Sequence, residues 1–126
     1  SGLVGSEMCI RDRNRKVIED AFNCKVIDHY GIGEPGTFCS GECPSGMMHA
    51  SSDISYFEII DNDKMASPGT SGELIQTCLL NFSMPFIRYR TGDYCRIIDE
   101  NCDCESQFPI IKDLQGRVGD MIIISL

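Results

Sequence analysis

Short runs of strand-forming residues limit the fold more than any other feature of this chain. They fall at 54–61, 72–79, 94–99 and 121–125. Val, Ile, Phe and Tyr suit a pleated, half-buried surface. Between the first two runs stand Asn62-Asp63-Lys64 and Ser67-Pro68-Gly69, residue types that close turns. Alternation is imperfect in the first run. Phe57 and Ile59 share one face, while Ile54, Tyr56 and Ile60 share the other, so both faces are expected to be partly covered. Closely spaced strands joined by glycine turns predict a small barrel or a folded sheet. Met47 and Met48 read as core filler.

A different pattern precedes this body. Val17, Ile18, Ala21 and Phe22 are spaced to fall on one face of a helix over 14–22, and Asn23 suits a helix end. Residues 24–28 then read as a short buried strand. Helix followed by strand is half of an α/β unit, whose ligands bind beyond the strand's carboxyl end. The loop expected there is 29–34, in which His29 reads as a neutral loop residue.

Composition narrows the function. The 126 residues suit one modest domain, and 42% hydrophobic content can build a core. A net charge of −8 argues against a nucleic-acid partner, which selects a basic face. No apolar run approaches the ~20 residues of a membrane span, and no secretory signal is evident. Eight cysteines without a signal point to a reducing, cytoplasmic setting with free thiols or a metal site. Cys102-Asp103-Cys104 cannot easily close on itself as a disulfide, but two thiolates can share a metal. Zinc takes four Cys or His ligands as a tetrahedron. The expected set is Cys43, His49, Cys102 and Cys104, with Cys39 as a substitute, and four protein ligands make such a zinc structural.

One stretch carries the most specific chemistry: Ser83-Met84-Pro85-Phe86-Ile87-Arg88-Tyr89-Arg90-Thr91-Gly92-Asp93. An extended segment running into a Gly-Asp turn is expected to deliver Asp93 to the mouth of a loop. A carboxylate there has two acceptor oxygens and can take both hydroxyls of a ribose. Arg88 and Arg90 are expected to pair with acidic neighbours, and no Gly-rich phosphate loop with Lys and Ser/Thr occurs.

This stretch resembles the "PxxRYRTGD" motif of adenylate-forming enzymes, the acyl-CoA synthetase superfamily, in wording close to the phenylacetate-CoA ligase branch. Three more stretches are similar in the same order. Tyr30-Gly31-Ile32-Gly33-Glu34 resembles the "YGxTE" loop. Pro68-Gly69-Thr70-Ser71-Gly72-Glu73-Leu74-Ile75-Gln76-Thr77 resembles the "PGxxGELxxT" hairpin. Gly116-Arg117-Val118-Gly119-Asp120 resembles the "GRxDD" hinge. Some phenylacetate-ligase-like sequences also carry a Cys and a His after the Tyr-Gly loop and a Cys-x-Cys before the hinge.

The resemblance implies an α+β chain: a helix–strand piece of an α/β subdomain followed by a distorted β-barrel subdomain, as at the end of the large domain of such enzymes. Residues 1–13 resemble translated sequencing-library adaptor and are expected to be a non-native leader. Residues 14–34 would close the AMP-binding α/β subdomain, 35–115 would form the barrel-like subdomain, and 116–126 would be the hinge, with the C-terminal domain missing. The implied reaction activates a carboxylic acid with ATP and Mg²⁺ as acyl-AMP, then passes the acyl group to CoA. Asp93 would hold the ribose, Tyr30 and Gly31 the adenine with Asp28 near its amino group, and Glu34 the Mg²⁺. Arg117 would meet the ribose or α-phosphate. Gly33 stands where a Thr or Ser is usual, so a hydroxyl contact to the α-phosphate is lost, and Gly119 replaces the first Asp of the hinge pair. On this reading residues 1–126 alone are expected to be inactive as a ligase. Two alternatives stand beside it: a non-catalytic zinc-stabilised β module binding a nucleotide or protein, and an adenylating relative with another acceptor.

Overall fold

The described residues begin with a helix, α1 (Val4–Phe22), and continue as eight strands. They are β1 (His29–Ile32), β2 (Thr37–Glu42), β3 (Met48–Ala50), β4 (Ser55–Asp61), β5 (Lys64–Met65), β6 (Gly72–Cys78), β7 (Tyr89–Ile98) and β8 (Ile110–Gln115). This is a computed structural model that describes residues 4–33 and 37–115. Every pairing is antiparallel, and the strands lie in the order β1-β2-β3-β8-β7-β6-β4-β5.

The α+β class expected from the sequence is the observed one. The strand runs at 54–61, 72–79 and 94–99 reappear as β4, β6 and β7, while 121–125 lies outside the described residues. The turn chemistry also reads through. Asn62 and Asp63 both take positive φ (48° and 61°), the twist that lets a two-residue loop pair Asp61 with Lys64. Gly69 supplies φ 79° in a turn closed by the Thr70 N–H on the Ser67 carbonyl at 2.9 Å.

Four local expectations change. The helix starts earlier than 14, since no proline interrupts the preceding residues. It does end at Asn23, which takes φ 49°. Its apolar face is not buried, for Val17, Ile18 and Phe22 are all exposed. Residues 24–28 are not a buried strand either. The Val26 N–H bonds Glu19 Oε1 and the Val26 carbonyl bonds Arg15 Nη1, both at 2.9 Å, so this backbone is spent on helix side chains. The expected loop at 29–34 instead begins as β1, paired with β2.

The buried cluster is Ala50, Ile59, Leu74, Cys95 and Ile111, with Tyr30, Met48, Phe57 and Ile97 packed on it. Of a barrel or a folded sheet, the structure takes the second: β1 and β5 end the ladder without pairing to each other. The sheet nevertheless curls strongly. The Cys39 thiol on β2 donates to Gln76 Oε1 on β6 at 3.3 Å, across three intervening strands. That curl brings β1 against β7.

Candidate functional site

Two groups of side chains are assembled by this curl. The first joins Tyr30 of β1 to Asp93 of β7. β6 and β7 are registered at Ile75↔Arg90 and Glu73↔Tyr94, so Thr91-Gly92-Asp93 stands opposite Leu74 alone. The Thr-Gly-Asp segment is therefore a bulge inside a strand and not the terminal turn expected from the sequence. Gly92 makes it feasible by taking φ 78°. Buried Thr91 braces it: its hydroxyl donates to the Leu74 carbonyl at 2.9 Å and accepts the Asp93 N–H at 3.0 Å. A bulge re-aims a side chain, and this one turns Asp93 towards β1.

There the Tyr30 hydroxyl donates to Asp93 Oδ2 at 2.5 Å. Burial, and then the adjacent carboxylate, push the phenol well above its ordinary pKa, so Tyr30 stays a donor. Asp93 keeps Oδ1 and further lone pairs for another donor. β1 is itself bulged between Tyr30 and Gly31. Asp28 is half-buried just before β1; its N–H bonds Glu42 Oε2 and its Oδ1 accepts the His29 N–H, both at 2.8 Å. Glu42 also takes Arg15 Nη2 at 2.8 Å. The arginines behave as expected. Arg88 pairs with Glu58 at 3.1 Å and Arg90 with Glu73, both from exposed positions onto nearly buried carboxylates. Glu34 and Arg117 lie outside the described residues.

The second group is Cys43, His49, Cys102 and Cys104. One ligand atom from each lies within 4.8 Å of all the others. Cys43 Sγ and Cys102 Sγ are 3.7 Å apart, and Cys104 Sγ is 3.2 Å from His49 Nε2. Zn–S bonds of ~2.3 Å in a tetrahedron put sulfurs about 3.8 Å apart, so the set fits zinc. Cys39, the substitute, is buried elsewhere beside Gln76.

Secondary interactions favour the same reading. His49 Nδ1 is 2.8 Å from the Phe108 carbonyl. Donating there, the ring turns its Nε2 lone pair to the cluster, the usual orientation of a metal-bound imidazole. Burial opposes ionisation of Cys43, but N–H groups of Met47 and Ser45 outweigh it and bring the thiol below its ordinary value. The Cys104 N–H chiefly does the same for Cys102. Cys104 receives the Ser106 N–H, yet burial and the two neighbouring sulfurs hold it above its ordinary value. Three thiolates repel one another, and a dication removes that penalty. The sequence pointed to the four side chains. It held no signal for the Phe108 carbonyl or the Thr91 brace, which exist only through strand register.

No protein-family model matches the chain. It is 32% identical over 117 residues to phenylacetate-coenzyme A ligase of Thermus thermophilus, covering 87% of this chain and 26% of that protein. It is 31% identical over 128 residues to phenylacetate-coenzyme A ligase of Pseudomonas putida, covering 98% and 28%. The chain thus spans about a quarter of the length of these relatives. Among solved structures it is similar to 2-hydroxyisobutyryl-CoA ligase in the postadenylation state with R3-HIB-AMP. That match has a TM-score of 0.77 at 28% identity, over 87% of this chain and 24% of the other. An open conformation of the same ligase with 2-HIB-AMP and CoA matches with a TM-score of 0.74, also at 28% identity.

Proposed function

This chain is a relative of the phenylacetate-coenzyme A ligases over the segment it matches, and we propose that it forms one wall of the nucleotide site of an ATP-dependent acid–CoA ligase. The reaction has two steps. A carboxylate attacks the α-phosphate of ATP to give acyl-AMP and pyrophosphate, and the CoA thiol then displaces AMP. Partners on this reading are small molecules: the acid, ATP and CoA.

The observation that carries the proposal is the meeting of Tyr30 and Asp93 across the curled sheet. In this role the Asp93 carboxylate accepts the ribose hydroxyls, and the Tyr30 hydroxyl fixes the carboxylate's rotamer. The half-buried Tyr30 ring would offer a flat surface for adenine with Gly31 beside it, and Asp28 would meet the amino group. Glu34 as the Mg²⁺ ligand and Arg117 at the ribose or α-phosphate complete the set. Mg²⁺ would supply charge neutralisation at the phosphates. Positioning is the chain's own share of such a step.

Cys43, His49, Cys102 and Cys104 are proposed to hold a structural zinc, as their fit and oriented imidazole support. The reducing cytoplasm would keep these thiols free for the metal. Cys24, Cys43, Cys78, Cys95, Cys102 and Cys104 are free thiols, and no described helix is long and apolar enough to cross a membrane. Since one wall does not make a site, residues 1–126 alone are expected to bind nucleotide weakly and to give no ligase turnover.

The test is acid-dependent exchange of labelled pyrophosphate into ATP, run on the protein that carries this segment and on its Asp93→Ala variant. Loss of charge-assisted bonds to two hydroxyls is expected to cost about 2–4 kcal/mol, roughly 30- to 1000-fold in kcat/KM for ATP. Equal exchange in both proteins would remove Asp93 from the site. No exchange with any acid in a panel would favour the binding-module alternative.

A further inference from the structure

The β3–β8 seam is the narrowest ladder between interior strands. Its registered pairs are only Met48↔Ile111 and His49↔Ile110, helped by the Ala50 N–H on the Pro109 carbonyl at 2.8 Å. By contrast, β4 and β6 share six registered pairs. Everything in β1-β2-β3 is attached to the rest of the ladder through this seam.

Besides the Cys39–Gln76 bond from β2 to β6, two sets of contacts bridge it from the two sides. Cys43 follows β2 and His49 sits on β3, whereas Cys102 and Cys104 belong to the β7–β8 connection. Tyr30 is on β1 and Asp93 on β7. Register ties these sets closely. His49 shares a ladder row with Gly41 and His29, and the adjacent row runs Ala50, Ser40, Tyr30. Strand hydrogen bonds keep neighbouring rows in fixed relation, so whatever fixes His49 against β8 also fixes where Tyr30 arrives.

We infer that a metal held by Cys43, His49, Cys102 and Cys104 is a positioning staple: by locking the β3–β8 seam it sets the meeting of Tyr30 with Asp93. The inference rests on the metal-centre reading above. It adds that the centre governs nucleotide-site geometry and does not merely support the fold. If the two contacts bridge one seam, each strengthens the other, and linkage makes the effect reciprocal.

The test uses the 126-residue chain and zinc itself. Zinc affinity is measured by competition with a chromophoric chelator for the chain, for Tyr30→Phe, and for Tyr56→Phe as an exposed control on β4. Hydrogen exchange is followed residue by residue in zinc-loaded and stripped protein. Tyr30→Phe, which keeps the ring and deletes the hydroxyl, is expected to weaken zinc binding about fivefold or more, within the usual range of coupled sites. Tyr56→Phe is expected to leave it unchanged. Stripping zinc is expected to speed exchange in β1, β2 and β3 while β4 and β6 stay protected. Stoichiometric zinc with unaltered affinity in Tyr30→Phe would overturn the staple and leave the metal centre standing. Exchange rising equally in every strand would also overturn it, because the metal would then support the whole fold. A chain that takes up no zinc would remove the metal centre and the staple together.

Discussion

The five strands β8-β7-β6-β4-β5 and the three strands β1-β2-β3 belong to one sheet yet are secured by different physics. In the larger group β6 is buried along most of its length, and Ile59, Leu74, Cys95, Ile98 and Ile111 are all withdrawn from water. Long ladders and apolar burial suffice there. The smaller group has short strands and leans on specific polar contacts: Arg15 with Glu42, Glu42 with the Asp28 N–H, and the Cys/His cluster. Its cysteines make the contrast plain. Burial, with Asp93 nearby, pushes the Cys95 thiol in β7 up to about 12, an inert core group. Cys43 is shifted the other way by the N–H groups aimed at it, a change that prepares it to be a ligand. A region short of apolar area can still be ordered, provided that each contact is directional.

The comparison breaks most readily at Leu74. It is fully buried in the larger group, so Leu74→Ala is expected to lower unfolding free energy by about 2–5 kcal/mol, measured by urea titration. A loss under ~1 kcal/mol would mean that burial does not hold the five strands.

Glu42→Gln sharpens the other side. It removes the charge that faces Arg15 and the Asp28 N–H, for an expected loss of about 1–3 kcal/mol. The effect should depend on acid. Burial raises the Glu42 carboxyl pKa, but Arg15 and the Asp28 N–H outweigh it and the net shift is downward. A depressed folded-state value gives stability that is present above the ordinary carboxyl range and lost as pH falls through the folded value. Wild type and Glu42→Gln should therefore converge in stability at low pH. A constant gap between them from neutral to acid would show that the charge is not what secures β1 and β2.

The smallest effect is read at the contact between the two groups. Four tyrosines are present, and Tyr30 is held neutral by burial and by Asp93. Its raised folded value means the contribution is complete below the ordinary phenol pKa, near ~10, and is lost progressively as pH rises above it. Ultraviolet titration is expected to show Tyr30 ionising only on alkaline unfolding. Ionisation of Tyr30 at the ordinary phenol pKa would mean that β1 and β7 do not stay closed in solution.

Much of this was legible from residues alone. Strand runs, the Asn62-Asp63 turn, the Asn23 helix end and the four metal-type side chains follow from local chemistry: propensity, positive φ and ligand softness are properties of a residue and its neighbours. The likeness to phenylacetate-coenzyme A ligases is likewise a property of the sequence. What the sequence could not reach depends on register and curl. Thr91-Gly92-Asp93 reads as a turn until Leu74 lies opposite it and makes it a bulge. The stretch at 24–28 reads as a buried strand until helix side chains claim its backbone. Tyr30 and Asp93 are 63 positions apart, and Cys43 and Cys102 are 59 apart. Whether such residues touch is decided by how far the whole sheet coils. That coil is the sum of small twists at every strand pair, so no single stretch of sequence states it.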